Sequence, residues 1–409
     1  MMNDSKVIKN CQICGSVKLK SILSLGYMPP PSDMHINTAE MKSYPLHLVQ
    51  CLECSLFQLD CIVNRSIVFP KDFPYTSSTT KVLRDNFLEL FLNCQKRFQL
   101  NMNDLVIDIG SNDGNLLSFF KNHSRVLGVT PEDIGTIAIE KGISTILDFF
   151  SLKLAKKIRQ KEGPAKIITA TNVLAHVDDL EDFMSGVLEC LDERGLFIAE
   201  SHWFLPLIER LQYDTIYHEH LRFYTLKSLI SLMERFDLDV FDAEKIKPHG
   251  GSLRIYVSRK GMMPIHGRVK KTLHEEDECL SIEALESFRH KVLESKCALH
   301  VCLQKIIQRK ATIYGIGAAA RATTLIHFTG LDHQLIDCVL EVKGSAKIGK
   351  YIPGTFIPVF DEDKLYRDQP QYALILSWHI ADTLIPILKN RGFKGDFIVP
   401  LPYPKVIRQ

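Results

Sequence analysis

Leu105-Val106-Ile107-Asp108-Ile109-Gly110-Ser111-Asn112-Asp113-Gly114 is the stretch that decides the fold. Its first five residues read as a strand buried on both faces, and the Ser-Asn-Asp-Gly that follows reads as a tight turn. Leu116-Leu117-Ser118-Phe119-Phe120 then opens a helix. Further strands are expected at 125–129, 165–170 and 195–200, with helix-length segments between them, which predicts a doubly wound parallel α/β sheet. Residues 238–241 and 253–258 supply its last two strands, with the turn His249-Gly250-Gly251 between them.

In that setting the spacing Asp108-x-Gly110-x-x-x-Gly114 carries chemistry. Glycines let the backbone approach a ligand, and Asp108 or Asp113 accepts hydrogen bonds from an ammonium or from hydroxyls. The pattern differs from the dinucleotide fingerprint G-x-G-x-x-G and resembles the first motif of S-adenosylmethionine (SAM) methyltransferases. A plain turn in an α/β protein is the bland alternative. His176 follows the third strand and the turn Thr171-Asn172, at the sheet edge where ligands collect.

North of this sheet, Cys11/Cys14 and Cys51/Cys54 form two Cys-x-x-Cys pairs. Four thiolates so paired suit a structural tetrahedral Zn²⁺, a redox pair or coincidence being the other readings. The gap exceeds the compact pattern, so the Pro29-Pro30-Pro31 loop is expected to fold back and bring the pairs together. Past the sheet, 275–309 reads as one long charged helix. Ala311-Thr312-Ile313-Tyr314-Gly315-Ile316-Gly317-Ala318-Ala319-Ala320 then restarts strand, glycine turn and helix, and 372–377 adds a strand, so a second α/β unit is expected. Gly315, Gly317 and Arg321 make a diphosphate receptor in that turn, with Lys343 and Lys347 nearby; close helix packing requires the same glycines.

Composition bounds the function. A chain of 409 residues, 45% hydrophobic and 24% charged with net charge +2, is ordinary globular protein with no field for holding nucleic acid. No stretch approaches the about 20 apolar residues that span a bilayer, and the polar N-terminus lacks a secretory core, so a cytoplasmic protein is expected. Eleven cysteines then read as thiols or metal ligands rather than disulfides.

Acid/base chemistry concentrates in Asp214-Thr215-Ile216-Tyr217-His218-Glu219-His220. Histidine titrates nearest neutrality, and neighbours tune it. If the segment is extended, His218 and His220 share a face; if helical, Tyr213, Tyr217, His220 and Tyr224 form a stripe and leave His218 aside. Thr225 reads as the N-cap of the next helix. Spacing alone leaves both histidines open.

These motifs, taken in order with Phe73-Pro74-Tyr75-Thr76-Ser77-Ser78, Asn172-Val173-Leu174-Ala175-His176-Val177, His249-Gly250-Gly251-Ser252-Leu253-Arg254 and Pro353-Gly354-Thr355, make the chain resemble, nearly end to end, the three-domain nucleotide-sugar C-methyltransferases. The resemblance implies a zinc-binding domain (1–72), a class I SAM methyltransferase domain (73–262) and a Rossmann-like C-terminal α/β domain (263–409). A nucleotide-linked 4-keto-6-deoxy sugar is bound between the last two, and the enzyme is expected to be monomeric. It further implies His220 as the base at carbon 3, with Tyr75, His176, Tyr217 and Glu219 lining the sugar. Asp108, Gly110, Ser111, Asn112, Asp113, Gly114 and Asn172 hold SAM, and His249, Arg254, Gly315, Gly317 and Arg321 hold substrate. Two departures stand out. Thr130, followed by Pro131-Glu132, replaces the usual acidic residue for the adenosine ribose, so the ribose contact is expected from the Thr130 hydroxyl or from Glu132, and Arg321-Ala322-Thr323-Thr324 replaces a lysine with Gly-Asn-Thr. O-methylation of a sugar hydroxyl and a non-catalytic, zinc-stapled nucleotide-binding protein are the rival readings.

Overall fold

A computed structural model describes residues 4–36, 41–69 and 81–408. Its centre is a seven-stranded sheet in the order Leu238–Ile246, Ser252–Arg259, Leu191–His202, Ala165–Thr171, Leu105–Ile109, Arg125–Val129, Thr145–Ile146. Ser252–Arg259 runs antiparallel to both neighbours and the remaining pairs are parallel. Both faces are covered, so strand residues divide by parity. Val106, Ile167 and Ile198 pack with Phe87, Phe91 and Leu116 on one side, while Ile107, Ile109 and Ile168 pack with Phe183, Met184 and Val187 on the other. Chain order reverses between Leu105–Ile109 and Ala165–Thr171, which opens a crevice at their carboxyl ends. The strand Thr145–Ile146, two residues long, carries no periodicity and was not expected from sequence.

At the N-terminal side, Leu19–Met28 and Tyr44–Cys51 form a hairpin, extended by Phe57–Leu59 and then by Arg222–Phe223 from the central region. A strand that begins two residues after His220 is thus hydrogen-bonded into the N-terminal sheet.

Beyond the central sheet, the expected single helix over 275–309 is two: Gly267–Cys279 and Ile282–Ile307. Ser281 ends the first run because its hydroxyl accepts from Ala284 N and caps the second. A six-stranded sheet follows in the order Val359–Asp361, Cys338–Glu341, Ile313–Ile316, Tyr372–Ile375, Asp396–Val399, Lys405–Ile407, parallel except for the last strand. One apolar cluster joins Leu46 and Phe57 of the first sheet, Tyr213 and Ile216 of the histidine segment, and Leu285, Leu325 and Val339 of the C-terminal region. Among the described residues, no helix is long and apolar enough to cross a membrane.

Candidate active site

The four cysteine sulfurs lie within 4.8 Å of one another, with Cys11–Cys54 at 3.4 Å and Cys14–Cys51 at 3.5 Å. Those separations and the all-thiol donor set fit one tetrahedral structural zinc ion. The chain folds back between the two pairs as expected: Pro29-Pro30-Pro31 opens the connection between Leu19–Met28 and Tyr44–Cys51, where Met28 pairs with Tyr44. Leu19 pairs with Cys51, so the base of the hairpin joins the two pairs. The proline loop stands at the opposite end, where Pro31, Ser32 and His35 border a cleft.

That cleft has a volume of about 1800 Å³ and lies at the crevice of the central sheet. Asp108 is buried there, accepts from Thr169 Oγ1 at 2.7 Å, and is pushed by burial up to about 7. Gly110 has φ +75° and no room for a Cβ, which would stand 2.4 Å from Val173 Cγ2. Ser111, Asn112 and Asn172 line the wall, Asn172 with φ +57°. Asp113 is buried with its carboxylate 3.5 Å from Lys141 Nζ, and Gly114 (φ +74°) packs on Ala138 and Ile143; neither borders the cleft. At the next strand end Thr130 is buried and its hydroxyl donates to Glu132 Oε2 at 2.5 Å; Glu132, not Thr130, is on the wall.

The histidine segment is neither strand nor helix. A 3₁₀ turn at Tyr213–Thr215 precedes a second turn in which His220 N donates to Tyr217 O at 2.9 Å. This turn lays the Tyr217 and His220 rings against each other with centroids 4.1 Å apart and the phenol 3.0 Å from His220 Nε2. His220 Nδ1 lies 3.0 Å from Thr215 O. A carbonyl only accepts, so Nδ1 carries the proton and Nε2 is the lone pair, accepting from Tyr217. Burial, with His176 and His202 adding, holds this imidazole well below its ordinary range. His176 donates Nδ1–H to Glu219 O at 2.6 Å, and its ring centre is 5.0 Å from that of His220. His218 also borders the cleft, but its Nε2 lies 3.3 Å from Tyr44 O rather than against Tyr217. Glu219 lines the cleft and burial pushes its carboxyl up to about 7. Tyr75 lies outside the described residues.

Four residues expected at the substrate site are engaged elsewhere or lie off the cleft wall. Arg254 is fully buried in the central sheet, where Nε donates to Glu200 at 2.7 Å and Nη2 to Asn86 Oδ1 at 2.9 Å; it does not reach the cleft. Arg321 borders the cleft, but its Nε and Nη2 are engaged by Asp214 at 2.7 and 2.9 Å. Gly315 is needed for packing, since a Cβ would stand 2.9 Å from Leu376 and 3.0 Å from Val339, and Gly317 for its φ of +92°. The cleft wall begins at Ala318. His249 is on the wall, with φ +56°.

Sequence reading missed His202 and His379, both on the wall and lowered by burial to about 4 and about 3. Each sits just past or at the carboxyl end of a parallel strand, and following the strand 195–200 two residues further would have reached His202.

Comparison with known proteins agrees with this architecture. Residues 11–69 match a putative zinc binding domain, 75–243 a methyltransferase domain, and 247–402 a C-methyltransferase C-terminal domain. The C-methyltransferase NovU of Streptomyces niveus is 27% identical over 419 residues, covering all of this chain and 99% of its own. Among solved structures, PH0226 of Pyrococcus horikoshii aligns at 16% identity over 48% of this chain and 98% of its own (TM-score 0.35). Magnesium protoporphyrin IX methyltransferase of Synechocystis with bound SAH aligns at 12% over 43% and 83% (TM-score 0.34). The sheet, its glycine turn and the matched central domain define a SAM-dependent methyltransferase. With all three domain models matched in order, the chain is similar along its length to three-domain C-methyltransferases.

Proposed function

We propose that this protein removes the proton from carbon 3 of a nucleotide-linked 4-keto-6-deoxy sugar and methylates the resulting enolate carbon. The observation that carries the reading is the Tyr217–His220 pair: a buried, uncharged imidazole whose lone-pair nitrogen is in contact with a phenol, in the same cleft as the Gly110 turn. A proton beside a ketone is acidic because the carbanion delocalises onto oxygen. A base and an oxyanion donor are therefore what the reaction requires. His220 Nε2 supplies the base. The Tyr217 hydroxyl, shifted from Nε2 to the ketone oxygen, frees that lone pair and stabilises the enolate in one movement, with the Nε2 lone pair of His176 as an acceptor beside it. SAM supplies an electrophilic methyl group on its sulfonium.

Asp108, Gly110, Ser111, Asn112 and Asn172 are the proposed cofactor contacts. Glu132, oriented by the Thr130 hydroxyl, takes the ribose role that Thr130 alone does not fill. With Arg321 engaged elsewhere, Lys347 and Lys350, beside the Ala318–Ala320 turn, are the cations nearest to hand for a diphosphate. His249 and Glu219 complete the sugar side, and Tyr75 is proposed from the family motif alone. A mass-spectrometric screen of thymidine-, guanosine- and cytidine-linked 4-keto sugars tests the substrate class. The expected result is a gain of one methyl on at least one of them; no gain on any would refute it.

A further inference from the structure

The helix Ala320–Thr329 and the turn after Tyr372–Ile375, both C-terminal, hold the segment that carries His220. Arg321 donates twice to Asp214, at 2.7 and 2.9 Å, and Trp378 Nε1 donates to the same carboxylate at 2.7 Å. The guanidinium carbon lies 5.0 Å from the centre of the Trp378 ring. Two residues on, Thr324 Oγ1 donates to Ile216 O at 3.0 Å. Asp214, Arg321 and Thr324 are all buried. Between the two anchored residues stands Thr215, and its carbonyl accepts His220 Nδ1–H. The direction of that carbonyl fixes which imidazole nitrogen keeps the proton and where the other one aims.

We propose that Arg321 is a positioning residue for His220: through Asp214 it fixes the Thr215 carbonyl, and so presents Nε2 as the free base. The C-terminal domain thereby builds the base as well as the substrate wall, since Ala318, Ala319 and His379 border the cleft from the same two turns. A bidentate guanidinium–carboxylate pair suits this task because its geometry is directional. A phosphate ligand is left only the Nη1 side of the guanidinium, because Asp214 occupies the Nε–Nη2 edge. The inference rests on the reading of His220 as the base.

The test compares wild type with Arg321→Gln, Arg321→Lys, Thr324→Val and Trp378→Phe in the full chain. Two readouts are used: ¹⁵N NMR of the histidine rings with His220 assigned by its own substitution, and kcat and KM on an accepted keto-sugar nucleotide. Wild-type His220 is expected as a single Nδ1–H tautomer, whereas Arg321→Gln mixes the tautomers. In that variant kcat falls on the order of 10²-fold with little change in KM or in SAM affinity. Arg321→Lys recovers part of the loss, and Thr324→Val and Trp378→Phe shift both readouts in the same direction by less. Those two variants decide the matter if Arg321→Gln does not fold. An unchanged His220 tautomer, or a raised KM at unchanged kcat, overturns the inference. If wild type accepts no keto sugar, the substrate reading fails separately, and the tautomer still decides the positioning.

Discussion

His218 and His220 are two residues apart and have different partners, because the turn closed by His220 N and Tyr217 O sets the His220 ring against Tyr217 and leaves the His218 ring against Tyr44. Spacing alone allowed either histidine; the turn resembles the helical alternative locally but is set by contacts to Thr215 and to the N-terminal sheet. His220→Ala is therefore expected to abolish turnover, measured under saturating substrate. His218→Ala keeps most of kcat and loses about 1–3 kcal/mol of stability in denaturant melts, from the buried contact with Tyr44 O. Because burial keeps the His220 imidazole uncharged well below its ordinary range, the acidic limb of kcat/KM is expected below pH 6.5. Glu219 supplies a second pH test. Its carboxyl titrates near 7 when folded against 4.5 ordinarily, so in that window the folded chain holds a proton that the unfolded chain has released. Its contribution to stability is full below about 4.5 and is lost as pH rises through about 7. Glu219→Gln removes that loss, and the thermal midpoint of the variant relative to wild type should climb between about pH 5 and about pH 8.

At the scale of elements, the turn after Leu105–Ile109 was legible because a continuous apolar run ending in glycine has few other uses. The cap at Thr225 was legible too, since its hydroxyl accepts from Ser228 N and Ser228 returns the bond. The break at Leu280–Ser281 was hidden, because a serine inside a charged helical pattern reads equally well as an exposed helical residue. Gly110 gives the sharpest element-level prediction. Alanine there meets Val173 at 2.4 Å in a backbone conformation, φ +75°, that L-residues rarely adopt. Gly110→Ala is expected to lose at least about tenfold in SAM affinity by calorimetric titration, with a cost in stability above the about 1 kcal/mol of an ordinary glycine replacement.

Across the whole molecule, the order of motifs was readable along the chain, whereas pairings between distant regions were not. Asp214 and Arg321 are 107 residues apart, and nothing local marks an arginine on a helix's first turn as a partner for an aspartate rather than a phosphate ligand. The same holds for the proline loop, whose position at the cleft follows from hairpin register and not from its composition. The zinc site illustrates the consequence. Its hairpin carries Ser32 to the cleft, and its sheet pairs with Arg222–Phe223 just beyond His220. Stripping the metal with a chelator is expected to lower the thermal midpoint and turnover together, and readdition of Zn²⁺ to restore both. The central claim, deprotonation at carbon by His220, is tested most directly by incubating the enzyme, a 4-keto-sugar nucleotide that it methylates and S-adenosylhomocysteine in deuterated water. Deuterium at carbon 3 is expected with wild type and none with His220→Ala. Methyl transfer by an enzyme that incorporates no deuterium there, with the new methyl on oxygen, would contradict it.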